Sequence, residues 1–313
     1  MKALITTIPF EIERSIYVKK LKKLGIEIIS NPKNSKFSRN ELISFGKDCD
    51  FLIAGTDKLD KFVLNKLKNL KLISRVGVGY DNIDMDYCNK NDIKVTITPE
   101  APVSAVSELT IGLILSLLRS IHLSNDDLHK GRWLKYMGED IVNKTIGIVG
   151  YGKIGQSVRK KLKGLGVKDI LVNENNKKVI KENKNIFFVS KNEILRRSDI
   201  LTLHLPLNQL TKHFLSKKEF LKMKKDSYLI NTSRGQIINE KDLVSFLKKD
   251  YFKGVALDVF SKEPYLGPLS DFSSCLLTSH LGPMTSSSRI RMENESLQEV
   301  IRFVNNKKLN NQI

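Results

Sequence analysis

The chain has 313 residues, of which 41% are hydrophobic and 28% charged, a length and balance that suit two globular domains and argue against disorder. Its formal charge of +19 reflects 53 Lys and Arg against 34 Asp and Glu. The lysines spread over the polar faces of many expected helices, with no Cys/His finger or RNP-like aromatic pattern, so nucleic acid is not an expected partner. Cys49, Cys88 and Cys275 form no Cys-x-x-Cys pair, which argues against zinc or any other metal site and for a reducing cytoplasm. The amino terminus lacks a signal-peptide pattern. The most apolar stretch, residues 109–118, is about half of the ~20 residues a membrane span needs, so no membrane partner is expected.

In chain order, short β-branched runs at 2–6, 26–29, 51–54, 72–74 and 94–97 read as strands. A second set follows at 146–149, 170–172, 200–203, 228–231, 255–259 and 276–278. Amphipathic segments separate most of them; Ile154, Val158, Leu162 and Leu165 fall on one helical face. This alternation implies α/β architecture with doubly wound parallel sheets. Residues 104–120 predict a long helix with little polar surface, expected to be buried between lobes or subunits. A last helix spans roughly 286–305.

Residues 144–155 read KTIGIVGYGKIG, a strand running into Gly150-Tyr151-Gly152-Lys153-Ile154-Gly155 and then a helix. In a dinucleotide site the first glycine of such a loop makes the tight turn. The second admits a pyrophosphate to the backbone, and the third lets helix and strand pack closely. The helix amino terminus then favours the anion. A lone GxGxxG says little, but here Glu174 closes the next strand 24 residues after Gly150. A carboxylate there accepts the ribose hydroxyls and repels a 2′-phosphate, which favours NAD over NADP.

Three polar segments end later strands: INTSRG (230–235), DVFSKEP (258–264) and TSHLG (278–282). They carry Arg234, Glu263 and His280, an anion fork, a carboxylate and an imidazole. Each alone is more often structural, an ion-pair partner or a turn residue. Together, past the carboxyl ends of strands, they suit proton and hydride exchange at a hydroxy acid.

With SRVGVGYDNID (74–84), PEAPVSAVSELT (99–110) and LHLPLNQLT (203–211), these motifs resemble the D-isomer-specific 2-hydroxyacid dehydrogenase family over nearly the whole chain. The resemblance implies two Rossmann-like domains. The substrate domain would be discontinuous, 1–99 plus 286–313, and the NAD-binding domain would span 100–285. It implies hydride transfer between NAD(H) and C2 of a D-2-hydroxy acid or 2-keto acid. Arg234 would grip carboxylate and reacting oxygen, His280 would act as acid/base, and Glu263 would hold the imidazole. Cofactor contacts would come from Gly150, Gly152, Lys153, Ile154, Gly155, Glu174, His204, Pro206, Thr211, Thr232, Asp258 and Gly282, and substrate contacts from Arg75, Val76 and Gly77 in the 76–79 loop.

Two departures stand out. Ser279 replaces the proline that usually precedes the catalytic histidine. Where phosphoglycerate-acting members carry an arginine, this chain has Ile53 in IAGT (53–56), leaving Arg75 as the cation available for an anionic tail. 3-Phosphoglycerate is therefore one candidate and small 2-keto acids another. A glutamine at the position of Glu263 would instead have pointed to formate dehydrogenases. A cofactor-sensing corepressor or scaffold on the same fold is the alternative function, and a homodimer built through the 104–120 helix is the expected assembly.

Overall fold

Four-residue apolar runs set the strands, and their packing uses both faces. The computed structural model describes residues 1–10, 15–33 and 35–313. The chain divides into two compact units, Met1–Pro102 with Thr285–Ile313, and Val103–Met284.

In the first unit, β1 (Lys2–Ile5), β2 (Glu27–Ser30), β3 (Phe51–Ala54), β4 (Leu72–Arg75) and β5 (Lys94–Thr96) pair in the order β2-β1-β3-β4-β5, all parallel. Alternate residues face opposite sides, so a sheet covered twice must be apolar at both parities. Ala3, Ile5, Phe51, Ile53 and Leu72 pack with Val18 and Leu21 and with Met292, Leu297 and Val300 of the helix Ser286–Val304. Leu4, Leu52, Ala54, Ile73 and Val95 meet Leu42, Val63 and Leu64 on the other side. Ser74 Oγ donates to the Ser296 carbonyl at 2.8 Å, tying that late helix to β4.

In the second unit, β6 (Ile146–Val149), β7 (Ile170–Asn173), β8 (Ile200–Leu203), β9 (Tyr228–Asn231), β10 (Gly254–Leu257) and β11 (Cys275–Leu277) form a parallel sheet in the order β11-β10-β9-β8-β6-β7. Both units are thus the doubly wound parallel sheets that the alternation implied.

The expected 104–120 helix needs correction. It runs Val103–Leu118 and is followed at 68° by a second helix, Ile121–His129, with Ser120 in left-handed backbone at φ +50°. Leu113, Ile114, Leu117 and Leu118 are buried against Ile146, Ile148, Val158, Leu162 and Ile230. Its apolar surface is therefore taken up largely by its own unit. No single helix among the described residues is long and apolar enough to cross a membrane.

Candidate active site

In open parallel sheets, ligands bind beyond the carboxyl ends of the strands, at the point where strand order reverses. In the second unit that point lies between β6 and β8. Gly150 leaves β6 at φ +92°, and a Cβ there would stand 2.5 Å from the His204 carbonyl. A Cβ on Gly155 would collide with the Gly150 carbonyl, so loop and helix approach too closely for any other residue. Gly152 caps the helix Lys153–Gly164 without a side-chain hydrogen bond, and a Cβ on it would meet nothing within 4 Å. An open space thus faces the first-turn amides, which fits a dinucleotide pyrophosphate.

Glu174 closes that loop from β7. Its Oε2 accepts from the Tyr151 amide at 2.7 Å, and its Oε1 from the amides of Asn175 and Asn176, each at 2.8 Å. The carboxylate is held in place beside the glycine loop with lone pairs to spare for hydroxyl donors. His204 Nε2 and Thr202 Oγ1 are 3.1 Å apart, and burial pushes the imidazole down to about 3. Thr211 Oγ1 donates to the Pro206 carbonyl at 2.6 Å, shaping the loop after β8. Thr232 Oγ1 lies 3.0 Å from Thr110 Oγ1.

Arg234, Glu263 and His280 follow β9, β10 and β11, three neighbouring strands. His280 Nδ1 is 2.8 Å from Glu263 Oε2, which leaves Nε2 as the nitrogen for a substrate. The side chains are 32% and 36% exposed, so the imidazole is reachable. Burial works to raise the Glu263 carboxyl, yet the hydrogen bond and charge of His280, the Phe260 amide and the Arg234 charge hold it below the ordinary glutamate value.

Asn231 builds the Arg234 turn: its Oδ1 accepts from Ser233 N at 3.0 Å and Ser233 Oγ at 2.7 Å, while its Nδ2 donates to the Arg234 carbonyl at 2.9 Å. Arg234 Nη1 donates to the Ser233 carbonyl at 2.8 Å.

Asp258, fully buried, does the same for the histidine turn. Its carboxylate accepts from Thr278 Oγ1 at 2.6 Å, Leu281 N at 2.7 Å and Gly282 N at 2.8 Å, and its carbonyl accepts from His280 N at 3.0 Å. Burial raises the Asp258 carboxyl against the pull of those donors and of His280. His280 itself sits at φ +58°, a conformation that a side-chain-bearing residue keeps only when its surroundings impose it.

In the first unit the 76–79 loop follows β4. The Val76 amide donates to Ala54 O at 2.9 Å and the Gly77 amide to Thr98 Oγ1 at 2.7 Å. The two residues expected to meet a carboxylate thus have their amides engaged internally. Among the described residues the amides of Val78 and Gly79 have no protein acceptor, and these are the donors the loop has to offer. Arg75 is 6% exposed, with Nε donating to Gly79 O at 3.0 Å and Nη1 to Val76 O. Ile53 is wholly buried in the core.

The sequence motifs pointed to neither Asn231 nor Thr98. The Asn in INTSRG is the signal for the first; Thr98 lies 21 residues from its partner and carried none. Among the described residues no group of His, Cys, Asp or Glu suits a metal ion. Burial raises the Cys49, Cys88 and Cys275 thiols, to about 11, 11 and 12.

Residues 111–282 match the model for the D-isomer specific 2-hydroxyacid dehydrogenase, NAD binding domain. The chain is 34% identical to a glyoxylate reductase of Thermococcus litoralis over 289 residues, 89% of this chain and 87% of that protein. It is 35% identical to a D-3-phosphoglycerate dehydrogenase of Methanocaldococcus jannaschii over 258 residues, 80% of this chain and 49% of that one. The D-lactate dehydrogenase of Aquifex aeolicus, solved with NAD and lactic acid, is similar in structure, with a TM-score of 0.84 and 27% identity over 98% and 96% of the two chains.

Proposed function

The chain belongs to the D-isomer-specific 2-hydroxyacid dehydrogenase family, and within it we propose that the substrate is a small 2-keto acid without a charged tail, hydroxypyruvate or glyoxylate. The protein is a NAD-dependent oxidoreductase acting on CH–OH donors. Bound NAD(H) supplies or takes up the hydride at C2. On the protein side, His280 Nε2 gives its proton to the carbonyl oxygen as that atom becomes a hydroxyl, and takes it back in oxidation. Glu263 hydrogen-bonds Nδ1 and so holds the ring in place. Arg234 polarises the carbonyl and presents a planar fork to an oxyanion.

Asp57 carries the substrate assignment. It lies just past β3, where strand order in the first unit reverses between β1 and β3, and is 2% exposed. Its Oδ2 accepts from Thr6 Oγ1, and its Oδ1 has no partner among the described residues. A carboxylate at that end of the sheet opposes a phosphate-bearing tail. The test is NADH oxidation with glyoxylate, hydroxypyruvate, pyruvate and phosphohydroxypyruvate. Hydroxypyruvate or glyoxylate should give the highest kcat/KM. A clear preference for the phosphate ester would refute the substrate assignment, and no turnover with any of them would refute the reading itself.

Assembly as a cytoplasmic homodimer through the second unit completes the proposal. Trp133 and Met137, 80% and 94% exposed, stand with Ile121, Leu128 and Leu134 on one segment. Clustered apolar side chains of that size mark an interface.

A further inference from the structure

We propose that Arg75 is a positioning residue that braces the 76–79 loop and so sets the Val78 and Gly79 amides, rather than a cation that holds a charged substrate tail. The proposal rests on reading that loop as the element that binds the substrate carboxylate.

Arg75 is the last residue of β4, and its guanidinium folds back onto the turn it introduces. Nε donates to Gly79 O at 3.0 Å and Nη1 to Val76 O, so a single fork ties the first residue of the loop to the last. Charge-assisted bonds of this kind are stronger than neutral ones, and the planar fork loses little freedom in making both.

The loop is shaped around that group. Gly77 has φ +139°, and a Cβ there would lie 2.7 Å from Arg75 Nη1 and 3.1 Å from Cζ. The guanidinium occupies the space a side chain at 77 would need, so a residue larger than glycine there would have to displace it. Thr98 closes the other side, accepting from Gly77 N at 2.7 Å through Oγ1 and donating its own amide to Gly77 O at 3.0 Å. With the Val76 amide on Ala54 O, the loop is held from β3, from β4 and from the segment after β5.

A brace and a tail-binding cation predict opposite patterns. Every 2-keto acid has a carboxylate, so loosening the loop weakens all of them alike. Removing a tail-binding cation weakens only the substrate that carries a charged tail.

The experiment compares Arg75→Lys, Arg75→Met and Thr98→Val with wild type. It measures kcat and KM for hydroxypyruvate and phosphohydroxypyruvate, and amide hydrogen exchange of a peptide covering residues 74–81. Lysine keeps the charge but, as a point donor, does not span both carbonyls. All three variants should raise KM for both substrates about tenfold or more, the worth of ~1.4 kcal/mol of carboxylate binding, and kcat should fall less. The ratio of the two kcat/KM values should stay near its wild-type value, and exchange at 76–79 should quicken.

A selective loss of the phosphate ester in Arg75→Met, retained in Arg75→Lys, would overturn the proposal. So would unchanged exchange in a folded Arg75→Lys. If wild type turns over no 2-keto acid, the functional reading fails, and exchange in Arg75→Lys and Thr98→Val still decides whether Arg75 braces the loop.

Discussion

Glu263 and His280 share a 2.8 Å hydrogen bond between Oε2 and Nδ1, and the other carboxylate oxygen accepts the Phe260 amide at 3.1 Å. The glutamate is thus anchored to its own turn while it holds the imidazole. Because its folded value lies below the ordinary one, the pair adds stability above the unfolded glutamate value. That contribution is lost as pH falls through the folded value.

Replacing Glu263 with Gln keeps the shape and removes the charge from the group that holds Nδ1. The variant should lose about tenfold or more in kcat, in keeping with the ~1.5–3 kcal/mol worth of a hydrogen bond to a charged group. A variant with wild-type kcat would show that the two groups are not coupled. His280→Ala should cost ~10²–10⁴ in kcat and leave NADH affinity, read by fluorescence, nearly unchanged.

Glu174 accepts three backbone amides, so its position does not depend on a bound ligand. Glu174→Ala should shrink the preference for NADH over NADPH by about tenfold, as expected for loss of ~1.4 kcal/mol of discrimination. Measuring kcat/KM with both cofactors checks this, and equal efficiency in the wild type would remove its basis.

Asp258 has two carboxylate oxygens for three donors of the histidine turn. Asparagine offers a single acceptor oxygen and places an amide group against a backbone N–H. Asp258→Asn should therefore lower kcat at least tenfold, in keeping with the ~1.5–3 kcal/mol worth of a hydrogen bond to a charged group, and quicken amide exchange at 280–282. A variant with wild-type exchange in that turn would show that Asp258 does not hold it.

Trp133 and Met137 stand in solvent on the second unit. The double substitution Trp133→Glu, Met137→Glu should convert a dimer to a monomer in light scattering while the far-UV circular dichroism stays that of the wild type. A wild type that is monomeric at micromolar concentration would contradict the assembly proposal directly.

The parallel sheets were legible because apolar runs such as 51–54 and 146–149 admit little else between turn signals. Gly150, Gly155 and Glu174 were legible because backbone geometry and charge leave few substitutes at those positions. What stayed hidden depends on partners distant in sequence. Which amides of the 76–79 loop are engaged depends on Ala54 and Thr98. The direction of the Arg75 side chain depends on the space left at Gly77. The apolar character of the 104–120 helix fits an interface and a core equally well, and its packing on β6 and its neighbours shows that one face serves the core of its own unit.

The helix Ser286–Val304 also bears on how the protein is made. Met292, Leu297 and Val300 cover a sheet face formed by Ala3, Ile5, Phe51, Ile53 and Leu72, yet residues 103–284, all of the second unit, are synthesised in between. At ~5–20 residues per second that interval lasts about 10–40 s. The second unit is complete before the first has its lid, so on the ribosome the amino-terminal sheet waits with one apolar face only partly covered, by Val18 and Leu21, while later sequence folds ahead of it.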